Sequence, residues 1–222
     1  MTGQINRGSF LGEHIYELAI NKNFKNYVEV GTWNGQGSTK CFVDGLTTRL
    51  DGSCLYSVEA NIKFFKEAVE YWSPILPSMK HPTTKLHLLY GRLIEVEELV
   101  SEEKIMGHPR FHQSPWLQWR NRNIEEYGKC ENILNQLPLE IDVLLLDGGQ
   151  FSTRAEFQKL KDRSKVIILD DTLSFKTDEA REDILAEPDT WAVEVDDRKD
   201  RHGTFISCRK ECVELLKKQE VG

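Results

Sequence analysis

Between Tyr27 and Thr39 the chain reads Tyr27-Val28-Glu29-Val30-Gly31-Thr32-Trp33-Asn34-Gly35-Gln36-Gly37-Ser38-Thr39. A short β-branched and aromatic run ends beside an acid, a glycine-rich turn follows, and a helix begins. Glycine has no Cβ and tolerates backbone angles that other residues resist, so such a turn brings bare main chain close to a ligand. Gly31, Gly35 and Gly37 are spaced G-x-x-x-G-x-G. A dinucleotide fingerprint needs G-x-G-x-x-G, and starting it at Gly35 puts Lys40 on the third glycine. Taken alone, the turn also suits a tight strand-to-helix connection in some other α/β protein. The rest of the chain weighs between these readings.

The pattern along the chain alternates strands with helices. Phe10, Leu11, Ile15, Leu18 and Ala19 recur at helical spacing, which predicts an amphipathic helix over 8–21. Strands are predicted at 27–30, 54–58, 86–90, 141–146 and 166–169, with helices over 37–42, 63–72, 154–161 and 178–185. Two more strands, 191–195 and 203–208, follow, the last closing the sheet. Residues 141–146 form a near-continuous apolar run, as in a strand buried on both faces. The fold class is therefore α/β: a Rossmann-like, doubly wound, mostly parallel seven-stranded sheet with helices on both faces, in a single domain over 1–222. Right-handed crossovers then put the C-terminal strand ends along one edge, where ligands bind. Glu29 and Gly31, Glu59, Tyr90 and Gly91, Asp147, and Asp170 with Asp171 all fall at such ends, which points to one composite site.

Residues 101–138 interrupt the rhythm and are long for an ordinary connection. Trp116, Trp119, Arg120 and Arg122 in this insertion are suited to gripping a flat or anionic substrate. The segment serves equally well as a surface excursion or as a contact between copies of the chain. Among its 222 residues, 29 Lys and Arg against 36 Asp and Glu give a net charge of −7. That argues against broad binding to nucleic acid or anionic membranes, which needs a basic face. No apolar run approaches the ~20 residues of a membrane helix, and the N-terminus lacks the apolar core of a signal peptide. Five scattered cysteines do not make a disulfide framework. The expectation is a cytoplasmic protein with reduced thiols and a small-molecule substrate.

Glu59 follows the second strand, 28 positions after Gly31. A carboxylate there can accept hydrogen bonds from both hydroxyls of a ribose, with Asn61 assisting, or it can cap the next helix. Asp147, Asp170 and Asp171 end neighbouring strands and should converge. Three carboxylates repel one another unless a cation joins them, and hard oxygen ligands suit Mg²⁺. The alternative is that they hold loops and cap a helix.

Glu29-Val30-Gly31-Thr32 with Gly35 and Ser38, then Asp142-Val143-Leu144-Leu145-Leu146-Asp147-Gly148-Gly149, then Val166-Ile167-Ile168-Leu169-Asp170-Asp171-Thr172, together resemble the class I S-adenosylmethionine-dependent methyltransferases. The likeness is greatest to the small metal-dependent O-methyltransferase branch, with its I-D-G-x-H segment after strand 4. It implies that Glu29, Gly31, Thr32, Gly35 and Ser38 surround the amino-acid part of S-adenosylmethionine, that Glu59 and Asn61 hold its ribose, and that Tyr90 and Gly91 border the adenine. It further implies that Asp147 lies at the reacting centre and shares Mg²⁺ with Asp170 and Asp171. The resemblance implies methyl transfer to a hydroxyl, with a sugar or polyol favoured because vicinal oxygens chelate a metal. A metal-independent enzyme acting on nitrogen and a non-catalytic cofactor-binding module are the alternatives. One position departs from the pattern: Gln150 stands where the branch carries Lys or His, and an amide cannot take a proton near neutral pH. His108, His112 and His202 are the other candidate bases.

Overall fold

The computed structural model describes residues 5–78, 85–108, 111, 115–199 and 202–217. Helix α1 (Phe10–Ile20) precedes β1 (Asn26–Val30), and α2 (Ser38–Leu46), β2 (Cys54–Glu59), α3 (Ile62–Trp72) and β3 (Lys85–Tyr90) follow. Two helices, α4 (Glu102–Met106) and α5 (Trp116–Tyr127), lie in the insertion. The second half runs β4 (Ile141–Leu146), α6 (Thr153–Leu160), β5 (Ser164–Asp170), α7 (Asp178–Leu185), β6 (Trp191–Asp197), β7 (Thr204–Arg209) and the short α8 (Val213–Leu216).

The strands form one seven-stranded sheet in the order β3-β2-β1-β4-β5-β7-β6. The first five are parallel, and β7 runs antiparallel between β5 and β6. The last strand of the chain therefore inserts next to β5 and does not close the sheet, whose edge is β6. The order reverses between β1 and β4, and a ligand crevice opens at such a switch point.

Alternation along each strand builds two cores. Tyr27, Leu55, Val143, Leu145, Val166 and Ile168 face α1 and α2 on one side. Val28, Val30, Leu144, Leu146, Ile167 and Leu169 face α6 and α7 on the other. Every residue of β4 is buried, in keeping with its apolar run. A third, smaller cluster joins Ile105, Trp116 and Tyr127 of the insertion to Phe151 and Phe175 from the loops after β4 and β5. It fixes the insertion against the C-terminal edge of the sheet. At the opposite edge the buried Arg49 guanidinium donates to the carbonyls of Ala19, Asn21 and Phe24 and to Tyr27 Oη, with Asp51 as its counter-charge. A buried charge is tolerated when it is paired and hydrogen-bonded in this way.

Candidate functional site

The turn after β1 is shaped by the strands beside it. Gly31 and Thr32 donate their N–H groups to Val58 O at 3.0 and 3.1 Å. Gly31 has φ +102°, and a Cβ placed there would lie 2.4 Å from Asp147 O. Only glycine allows the β1 and β4 loops to touch in this way. Gly35 (φ +73°) serves another purpose: a Cβ there would meet the Trp72 ring at 2.6 Å, and Trp72 Nε1 donates to Gly35 O at 3.0 Å. Gly35 thus faces α3 and does not line the cavity.

That cavity, about 1020 Å³, lies over the C-terminal ends of β1, β2 and β4. Small-molecule sites run to roughly 1,000 Å³, so there is room for a cofactor and an acceptor together. Gly31, Thr32, Gly37 and Ser38 form one wall, Glu59, Asn61 and Gly91 another, and Asp147, Gly148, Gly149, Gln150 and Asp171 a third.

Glu29 is fully buried and lies behind the wall, where its carboxylate accepts from Ser38 Oγ (2.5 Å), Thr39 Oγ1 (2.6 Å) and Ser57 Oγ (2.5 Å). It organises the turn and does not line the cavity, contrary to the place by the cofactor's amino-acid part that the resemblance implied. Burial pushes its pKa up to about 7, against the pull of those hydroxyls. Glu59 faces the cavity. Its Oε2 accepts from Trp33 N and its Oε1 from Asn61 N, each at 2.7 Å. Burial raises its pKa to about 7 as well. Glu59 does not cap α3. Asn61 does, accepting from Lys63 N and Phe64 N, while the Asn61 amide donates to Glu126 at 2.6 Å. Tyr90 packs on Phe65 at 5.4 Å and does not line the cavity.

The insertion, which the sequence left open between a substrate-gripping lid and a surface excursion or contact between copies, supplies a helix. Trp119, Arg122, Asn123 and Glu126 line the cavity. Their spacing of three, four and seven puts them on one helical face. Trp116 and Arg120 do not reach it. Trp116 is buried between His108 and Phe175, and Arg120 Nε donates to Val100 O at 2.6 Å. These two anchor α5 and leave Trp119 and Arg122 as the members of the four that face the cavity. The same packing takes His108 away from the cavity. His202 lies in the turn before β7, and His112 falls outside the described residues.

Asp147, Asp170 and Asp171 converge, each offering a carboxylate oxygen within 4.8 Å of the others. A cation already joins two of them. Lys176 Nζ donates to Asp147 Oδ1 and, at 3.1 Å, to Asp171 Oδ2. With this ammonium between the carboxylates, the set as arranged does not fit a divalent ion.

Two further residues were missed from the sequence. Glu156 on α6 is buried and lines the cavity; Tyr127 Oη donates to its Oε1 at 2.8 Å, and its buried Oε2 has no hydrogen-bond partner among the described residues. Burial pushes its pKa to about 7, with the Tyr127 hydroxyl opposing. Tyr127 and Glu156 lie 29 residues apart, and nothing local in the sequence pairs them.

No protein-family model matches the sequence, and no curated protein is significantly similar to it. Solved structures do share its fold. One is an O-methyltransferase from Bacillus cereus in complex with SAH, at 15% identity over 94% of this chain and 84% of that one, with TM-score 0.57. Another is an SAH-bound methyltransferase from Podospora anserina, at 14% identity over 90% and 78%, with TM-score 0.55. A third is a methyltransferase from Geobacter sulfurreducens, at 13% identity over 89% and 77%, with TM-score 0.53. The shared architecture is the Rossmann-like, mostly parallel seven-stranded sheet.

Proposed function

We propose that the chain is an S-adenosylmethionine-dependent methyltransferase acting on a hydroxyl of a small molecule. The observation that carries this reading is one cavity walled by the Gly31 turn, by the Glu59 carboxylate and by the Asp147 loop, at the switch point of the sheet. The fold shared with SAH-bound methyltransferases supports it.

The residues present fit the cofactor. Each Glu59 oxygen accepts one backbone N–H and keeps a lone pair for a ribose hydroxyl. Gly31, Thr32, Gly37 and Ser38 would surround the amino-acid end, and Gly91 would border the nucleobase. Bound there, S-adenosylmethionine would supply an electrophilic methyl group for an acceptor oxygen. Trp119 and Arg122 would hold the acceptor. The acceptor's proton would pass to Glu156, whose second oxygen is buried without a hydrogen-bond partner among the described residues and whose pKa near 7 suits a general base. Chelation by vicinal oxygens was the ground for favouring a sugar or polyol. With Lys176 in the acidic cluster that ground is gone, and the acceptor is proposed only as a small-molecule hydroxyl.

Titration calorimetry tests the reading. S-adenosylmethionine and its demethylated product should bind and nicotinamide dinucleotides should not. Glu59→Ala should cost ~1.5–3 kcal/mol of cofactor affinity, the range for hydrogen bonds to a charged group. Binding of NAD without S-adenosylmethionine would overturn the assignment. Unchanged affinity in the variant would remove Glu59 from the ribose.

A further inference from the structure

The acidic cluster contains its own counter-ion. Asp147 follows β4, Asp170 ends β5, and Asp171 is next in the chain, with φ +61°. A tightly tied turn returns the chain to this point. Ser174 N and Oγ donate to Asp171 O at 2.9 and 2.8 Å, Lys176 N donates to Ser174 Oγ at 3.3 Å, and Thr177 Oγ1 donates to Asp170 O at 2.7 Å. Phe175, buried in the third cluster, anchors the turn from the other side. Lys176 therefore has little freedom in where its side chain goes. That side chain is only 10% exposed, and its ammonium bridges Asp147 and Asp171. A flexible surface lysine would keep its ammonium in water.

We propose that the Lys176 ammonium takes the place a divalent metal ion would occupy, so that methyl transfer by this chain needs no metal. The inference rests on the methyltransferase reading for its second half only. Mg²⁺ and Ca²⁺ bind carboxylate oxygens at roughly 2.0–2.6 Å, and the ammonium already holds an oxygen of two of the three carboxylates such an ion would draw on. For a metal to enter, a buried ammonium would have to give up both partners and leave. The charges of Asp147, Asp171 and Asp170 hold the lysine protonated: burial alone would lower its pKa, and the three acids together raise it above the ordinary lysine value. Lys176 does not itself line the cavity, whereas Asp147 and Asp171 do. It is a positioning residue, holding two carboxylates at the cavity wall as hydrogen-bond acceptors for a hydroxyl.

The test is direct binding of Mn²⁺, followed by its electron paramagnetic resonance signal, on the purified full chain. Wild type should show no stoichiometric Mn²⁺ binding up to millimolar concentration. Lys176→Met removes the ammonium and leaves the carboxylates. It should gain a Mn²⁺ site at least tenfold tighter than anything in wild type, and adding Asp147→Asn should abolish it. Wild-type protein that binds one Mn²⁺, and loses it on Asp147→Asn, would overturn the proposal, and this arm stands even if Lys176→Met fails to fold. A folded Lys176→Met variant that gains no Mn²⁺ site would overturn it too. Failure of S-adenosylmethionine to bind leaves these metal results unaffected and strikes only the methyltransferase reading.

Discussion

Two glycines with similar backbone angles and different surroundings isolate what the Gly31 turn does. Gly31 has φ +102° and Gly52 has φ +77°. Alanine at either position must adopt a conformation that costs an L-residue roughly 1–2 kcal/mol. At Gly52 a Cβ would meet nothing within 4 Å, so the cost ends there. At Gly31 the Cβ would lie 2.4 Å from Asp147 O, 2.7 Å from Asp147 C and 3.0 Å from Gly148 Cα. All three are backbone atoms, so no rotamer change relieves the clash, and the loop after β4 has to move. Overpacking of this kind costs about 1–3 kcal/mol. Alanine's lower entropy in the unfolded chain offsets both variants alike and cancels in the comparison. Gly31→Ala should therefore be ~1–3 kcal/mol less stable than Gly52→Ala, a difference in urea midpoint of roughly 1 M for a typical slope. Circular dichroism in urea reads it. Cofactor titration should show weaker binding for Gly31→Ala and wild-type binding for Gly52→Ala. Equal midpoints for the two variants would refute the close approach of the β1 and β4 loops.

Two other outcomes follow from the buried carboxylates. Glu156→Gln should lower turnover by about 10²–10⁴-fold, the usual contribution of a general base, and leave cofactor affinity intact; wild-type turnover in steady-state assays would remove Glu156 from proton transfer. Stability should also depend on pH. Burial raises the folded pKa of Glu29, Glu59 and Glu156 to about 7 each, above the roughly 4.3 of an exposed Glu. The stability this contributes is fully present below about pH 4.3 and lost as pH rises through 7. Thermal midpoints should fall between pH 5 and 7.5, and Glu29→Gln should flatten that slope; midpoints that rise over this window would contradict the assignment.

The legible parts of this protein are those written locally. The Gly31 turn, the acid two positions before it and the apolar run of β4 each carry their meaning within a few residues, so the strands and the Glu59 position follow from spacing. The antiparallel β7 was not visible, because a short strand reads the same in either direction. The face of α5 was readable in principle: Trp119, Arg122, Asn123 and Glu126 fall on one helical side. The many polar and charged residues of Trp116–Tyr127 hid it, since they lack the apolar stripe by which helices are recognised. Lys176 and Glu156 were missed for a different reason. Each acquires its role from partners 29 residues away, through packing that no periodicity encodes. The strand ends of Asp147, Asp170 and Asp171 led the sequence reading to Mg²⁺, because the lysine that bridges two of them lies in a loop 29 residues from Asp147 and carries no local signal.

The makeup of the cavity wall also bears on how a turnover would end. Among the described residues, Glu59, Glu126, Asp147, Glu156 and Asp171 line it against Lys63 and Arg122, with the Lys176 ammonium paired to two of the acids from behind, so carboxylates still outnumber cations and the field favours positive guests. In the proposed reaction the incoming cofactor carries a sulfonium and the spent one a neutral thioether. The chemistry would then erase the very charge by which the donor was held, and the wall's grip on it would slacken once the methyl group had gone.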